Sequence, residues 1–118
     1  MLQLEHKKLK AWQLSINLLV LIKRLSSLLP RDEEFVLIPQ MRRAVLSVVN
    51  NIAEGASRKS PTERKRFYEI SRSSLAELDT DMEICIILKY LALQEIQQAE
   101  DFIEQIFKLL STMIKNTK

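Results

Sequence analysis

Six polar side chains recur at helical spacing in the middle of the chain. Gln40, Arg43, Ser47, Asn51, Glu54 and Arg58 are separated by 3, 4, 4, 3 and 4 residues. On a helix they share one face. Ser74 and Glu77 join the set if the next helix runs back antiparallel. The chemistry open to such a group is general acid–base work, with Glu54 and Glu77 as carboxylates and Arg43 as the neighbouring charge. Its usual companions are missing. The chain has one histidine, His6, and one cysteine, Cys85. Its only glycine, Gly55, cannot make a phosphate-binding loop. No Glu has a His three residues on, as di-metal sites in bundles require. No catalytic residue, cofactor or metal ligand is therefore assigned, and a non-enzymatic protein is expected. The stripe reads instead as a buried or interfacial polar network that sets helix register and assembly. Cys85 is expected in the core, and His6 as a frayed surface residue.

The elements that must carry this stripe are helices. Apolar residues make up 47% of 118 residues, enough for one packed core. One Gly and three Pro leave too few turn residues for a sandwich or barrel. Four helices are expected, at about 7–29, 32–56, 61–90 and 94–115. Short connections make neighbours antiparallel, giving a single all-α domain over 1–118, an up-down-up-down four-helix bundle.

The first helix has two apolar stripes: Leu9, Trp12, Ile16 and Leu19, and Leu14, Leu18, Leu21, Leu25 and Leu28. One stripe suffices for a bundle core, so the second points to a subunit interface, the alternative being a helix buried deep within its own bundle, which four helices can barely provide. Pro39 makes the start of the second helix either a separate short helix or a kink. Gly55 falls where that helix should stop. Ser60-Pro61-Thr62-Glu63 is a capping box with proline at the first helical position. Apolar positions inside the third helix are Phe67, Ile70, Leu75, Leu78, Met82, Cys85 and Ile86, and the stretch 84–93 is apolar nearly all round. Ile96, Ala99, Ile103, Ile106, Leu110 and Met113 point inward from the fourth. Folding helices 2 and 3 back about residues 57–60 sets Arg43 beside Ser74 and Glu77, with a shielded Arg43–Glu77 ion pair expected. It sets Glu54 beside Glu63, Arg64 and Arg66.

Charge is unevenly distributed. Residues 1–75 carry fourteen Lys and Arg against seven Asp and Glu, and residues 76–118 carry four against eight. Arg58, Lys59, Arg64 and Lys65 cluster where the second and third helices join, a candidate nucleic-acid contact through phosphates. No helix-turn-helix pattern or aromatic-rich sheet accompanies them, so any recognition would not read sequence. The apolar run 12–22 is too short and too interrupted to span a membrane. The basic start before it resembles a signal peptide, but no cleavage site follows. A cytoplasmic protein is expected, without a membrane partner.

Several strings in order are distinctive: Leu29-Pro30-Arg31-Asp32-Glu33, Gln40-Met41-Arg42-Arg43-Ala44, Ser47, Asn51-Ile52-Ala53-Glu54-Gly55, Arg58-Lys59-Ser60 and Ser74-Leu75-Ala76-Glu77-Leu78. Together they resemble the four-helix-bundle family of the 23S rRNA intervening-sequence proteins, most specifically over residues 29–91. Pro39, Ser73 and the Val48-Val49 pair depart from the family's usual residues. The resemblance implies a homopentamer of up-down bundles, encoded in some bacteria within rRNA insertions. A more distant similarity in fold is to the accessory protein of diversity-generating retroelements, a basic pentamer that binds its reverse transcriptase and nucleic acid. The expected function is a homo-oligomeric adaptor, pentameric by resemblance, that contacts RNA or DNA, with a reverse transcriptase or other protein as a further partner. The alternative is a purely structural or protein-partner module without nucleic-acid affinity.

Overall fold

The computed structural model describes residues 1–118. All regular elements are helical: α1 (Lys10–Ser26), α2 (Leu37–Ser57), α3 (Pro61–Ile87) and α4 (Leu93–Asn116). They form an antiparallel four-helix bundle. α1 packs on α2 and α4, and α3 packs on the same two helices. No helix is long and apolar enough to cross a membrane.

Helix 1 is shorter at both ends than its apolar periodicity suggests. Residues Glu5–Lys8 form a separate 3-10 turn. Within it His6 is half-buried rather than frayed, with its ring edge-on to Trp12 at 5.0 Å. At the other end the Ser26 and Ser27 hydroxyls donate to the carbonyls of Lys23 and Arg24. Such back-bonding competes with continuation of the helix. Arg42 of α2 completes the stop. Its Nε donates to Ser26 Oγ at 2.9 Å and its Nη2 to the Lys23 carbonyl at 3.4 Å, a cation at the negative end of the α1 dipole.

The acidic residues ahead of α2 form their own 3-10 turn, Arg31–Glu33. α2 therefore starts at Leu37, and Pro39 falls in its first turn, where no intrahelical partner for its missing N–H is lost. Gly55 is not a stop signal. The helix continues to Ser57 and Gly55 has ordinary negative φ. A Cβ there would lie 2.7 and 2.8 Å from Tyr68 Cε1 and Cδ1. The glycine lets the end of α2 approach the buried Tyr68 ring of α3.

α3 starts as the capping box requires, with Ser60 Oγ accepting from the Glu63 N–H at 3.3 Å. The Glu63 carboxylate turns to Arg66 instead of reaching back. The helix ends at Ile87, three residues earlier than expected, in a Schellman motif. Tyr90 N–H donates to the Cys85 carbonyl at 2.8 Å and Lys89 N–H to that of Ile86 at 3.0 Å. Lys89 holds the left-handed position, φ 63°, that glycine normally fills. α4 begins with the Glu95 carboxylate accepting the Ala92 N–H at 2.7 Å.

The core runs the length of the bundle. α2 contributes Met41, Ala44, Val45, Val48, Val49 and Ile52, and α4 contributes Ile96, Ala99, Ile103, Ile106 and Leu110, all buried as the periodicity predicts. Met113 is only half-buried. On α3, Leu75, Leu78, Met82 and Cys85 are buried as the spacing predicts, and only the first half of the face is turned, by about one residue. Tyr68, Ser71, Ser74 and Asp81 are also buried, whereas Phe67 is half-buried and Ile70 is exposed. On α1 the stripe with Leu18, Leu21 and Leu25 is buried, and Leu9, Trp12, Ile16 and Leu19 remain half-covered.

Candidate functional site

Hydrogen bonds stitch α2 to α3 along a polar seam. Asn51 Nδ2 donates to the Ser47 carbonyl at 2.8 Å and to Ser47 Oγ at 3.0 Å. Ser47 Oγ and Ser74 Oγ lie 2.7 Å apart. Because Ser47 accepts from Asn51, its own hydrogen is free for Ser74. One turn inward Ser71 Oγ donates to the Val48 carbonyl at 2.8 Å. Gln40 Nε2 donates to Asp81 Oδ1 at 2.8 Å. Ser47, Asn51 and Ser74 are thus linked to one another, while Gln40 is bonded to Asp81, which lies outside the predicted stripe.

Three of the expected members do not join the seam. Arg43 and Glu77 make no ion pair, and both are exposed. Ser74 faces Ser47 instead of Arg43, in a register that leaves Arg43 and Glu77 at facing positions across the exposed edge of the seam, unpaired. They line, with Gln40, Ala44, Ser47 and Ser74, an open cleft of about 500 Å³. Glu54 lies beyond the seam and pairs with Arg58 on its own helix at 2.6 Å. Arg66, placed beside Glu54 by the expected register, pairs with Glu63 at 3.4 Å.

Asp81 and Ser71 are the seam residues that the sequence stripe misses. Both sit on the 3–4 repeat Tyr68, Ser71, Leu75, Leu78, Met82, Cys85 or one position from it, a repeat that becomes visible once Ile70 is no longer taken as core. Asp81 Oδ2 is buried without a hydrogen-bond partner. Burial raises the Asp81 carboxyl above its ordinary range. Gln40 opposes that rise, and the nearby Glu77 charge adds to it. Cys85 lies one turn on, fully buried, with Sγ 4.0 Å from Met41 Sδ. Burial, then the Asp81 and Glu33 charges, pushes its thiol up to about 11. It is a neutral core thiol, not a nucleophile. No three His, Cys, Asp or Glu side chains are grouped to hold a metal ion.

A second assembly of functional side chains lies at the end of the bundle where α2 meets α3. Arg58 sits over the Phe67 ring at 4.9 Å, and Arg66 lies 5.4 Å from the same centroid. Arg64 Nε donates to the Arg58 carbonyl at 2.6 Å. Lys59 and Arg64 are exposed and Lys65 is half-exposed. The antiparallel order brings the chain termini to this end as well. The 3-10 turn at Glu5–Lys8 packs on α2 and lines a cleft with Ala53, Glu54 and Ser57. Arg72 Nη1 donates to Ser111 Oγ at 3.1 Å, a register that carries the end of α4 to the start of α3. Lys7, Lys8, Lys10, Lys115 and Lys118 therefore lie at the same end as Arg58, Lys59, Arg64 and Lys65, with the carboxylates Glu5, Glu54 and Glu63 among them. The cluster is wider than its sequence neighbours suggest, since only the fold brings both termini to it.

The fold, the polar seam and the basic end define an all-α protein of the antiparallel four-helix-bundle class. Within that class, the family model of the 23S rRNA-intervening sequence protein matches residues 7–112, and the chain belongs to that family. A solved structure of a protein with unknown function from the S23 ribosomal protein family of Bacteroides thetaiotaomicron has the same fold. The TM-score is 0.82 at 23% identity, over 90% of this chain and 96% of that one. No curated protein matches the chain in sequence.

Proposed function

We propose that this chain is a non-enzymatic, cytoplasmic, homo-oligomeric bundle adaptor whose basic end contacts RNA or DNA through the phosphates. The observation that carries this is the gathering of Arg58, Lys59, Arg64, Lys65 and the lysines of both termini at one end of the bundle. Phosphate contacts need only exposed cations on a rigid support, and they position without reading sequence. Side-by-side association is supported by the half-covered α1 stripe, Leu9, Trp12, Ile16 and Leu19. The family resemblance supplies the number five. A ring of five repeats each weak patch five times, and the contacts add by avidity.

The test is a binding titration with a structured RNA and with duplex DNA at two salt concentrations. Affinity is expected to be similar for both and to fall steeply with salt, because each phosphate neutralised releases counterions. Replacing Arg58, Lys59, Arg64 and Lys65 by Glu should abolish binding with the oligomer intact. No binding by the wild type at low salt would hand the basic end to a protein partner, such as a reverse transcriptase, or to a purely structural role.

A further inference from the structure

Thirteen large apolar side chains are exposed, and six of them, Leu28, Phe35, Val36, Ile87, Leu88 and Leu93, belong to the two connections, or to the helix ends that flank them, at the end opposite the basic cluster. Phe35 is 85% exposed and Ile87 69%. The α1–α2 and α3–α4 connections are tied together there, with the Tyr90 hydroxyl donating to Glu33 Oε2 at 2.7 Å. Each connection is also closed by its own backbone bonds: Glu34 N–H to the Arg31 carbonyl and Val36 N–H to that of Glu33 on one side, and the Schellman pair on the other. The apolar side chains thus stand on a rigid, preformed surface. Little ordering is needed to bind through it.

We propose that this apolar end docks against the same end of a second copy of the chain, about a two-fold axis. The exposed apolar area is on the order of 600 Å², the upper end of what a soluble monomer shows. With its rim it approaches the roughly 800 Å² per partner of a stable interface. The rim carries both signs: Arg31 and Lys89 stand with Asp32 and Glu34, all exposed. Such a rim does not attract a phosphate-rich or anionic lipid surface. It suits a two-fold contact, in which each patch meets its own copy and each basic residue can oppose an acidic one. This deepens the proposed homo-oligomer. In a ring of parallel bundles all apolar ends face the same way, so two rings meet face to face and the basic ends point outward.

The experiment compares the masses of the wild type and of Phe35→Asp/Leu88→Asp by light scattering, with circular dichroism to show that helix content is kept. The wild type should have twice the mass of the variant. The ratio tests the end contact and the absolute mass tests the ring: ten chains falling to five supports both, whereas two falling to one supports the end contact and overturns the ring. Equal masses overturn the end contact. Binding of the wild type to phosphatidylcholine vesicles with equal masses would assign the patch to lipid instead. A second variant, Ile87→Cys, keeps most of the patch, and native Cys85 is buried. It should cross-link to a second copy under mild oxidation and lose the link when Phe35→Asp is added. Cross-linking that survives Phe35→Asp counts against the contact.

Discussion

Asp81 is 1% exposed, and half of its carboxylate has no partner. Its carboxyl is raised by burial, so the folded chain takes up that proton more readily than the unfolded chain. The stability linked to protonation is complete below the unfolded value, about 3.9, and is lost as pH rises through the raised folded value. Asp81→Asn keeps an acceptor for Gln40 and removes the charge. The new Nδ2 replaces Oδ2 as the unpaired buried atom, so the gain comes only from the removed charge; the substitution should stabilise the protein at pH 7 and by less at pH 4. Thermal melts at the two pH values decide this, and a lower Tm at pH 7 would refute it. Gly55 makes the opposite case. In most helices Gly→Ala gains up to about 1 kcal/mol. Here the new methyl group would sit under 3 Å from the buried Tyr68 ring. Overpacking costs about 1–3 kcal/mol, so Gly55→Ala should lower the denaturation midpoint.

At the scale of elements, the α3–α4 corner and the α3–α4 interface each hold a tunable feature. Lys89 occupies φ 63° without being glycine, and the left-handed region costs such a residue about 1–2 kcal/mol. Lys89→Gly should recover part of that, read as a higher urea midpoint with unchanged slope. Across the same helices Asp79 and Glu100 share a hydrogen bond, which between two carboxyl groups requires a proton. Burial, that bond and the Asp79, Glu83 and Asp101 charges raise Glu100 to about 7. Its unfolded value is lower, so its stabilisation is full at acid pH and lost as pH rises through about 7. Glu100→Gln should flatten the dependence of Tm on pH between 6 and 8. These features also mark where the sequence stops being legible. The cores of α2 and α4 follow from apolar spacing alone, because each helix buries one continuous stripe. α3 buries Ser71, Ser74 and Asp81 among its apolar residues, so hydrophobicity points one position aside, to Ile70. Its end is hidden because Lys89 does the work of a glycine. The seam is partly legible: Ser47, Asn51 and Ser74 meet as their spacing implies, whereas Gln40 meets Asp81, which the stripe did not include. Arg43 and Glu77 hold facing positions in the register that Gln40–Asp81 and Ser47–Ser74 define, close to the one connection length implies, but at the exposed edge of the seam, where solvated charges need no partner.

The two ends of the molecule differ: most of the gathered cations lie at one, with Met1, Leu2 and Leu4 also exposed there, and Leu28, Phe35, Val36, Ile87, Leu88 and Leu93 are exposed at the other. The longest extent is 43 Å, several times the roughly 8 Å over which charges act at physiological salt. The two ends should therefore behave as independent modules. The slope of log affinity against log salt counts the phosphates neutralised at one basic face, about 0.9 per contact on duplex DNA. Charge reversal of Arg58, Lys59, Arg64 and Lys65 removes those contacts, so the slope should flatten while the mass stays unchanged. Phe35→Asp acts at the far end. It should halve the mass and leave the slope as in the wild type, because a duplex lying on one basic face touches the same cations whether or not a second copy is docked behind it. Salt titrations of both variants beside the wild type test this directly. A flattened slope in Phe35→Asp would mean that nucleic acid bridges both docked copies, and the basic end would then be only part of a surface that the pair completes.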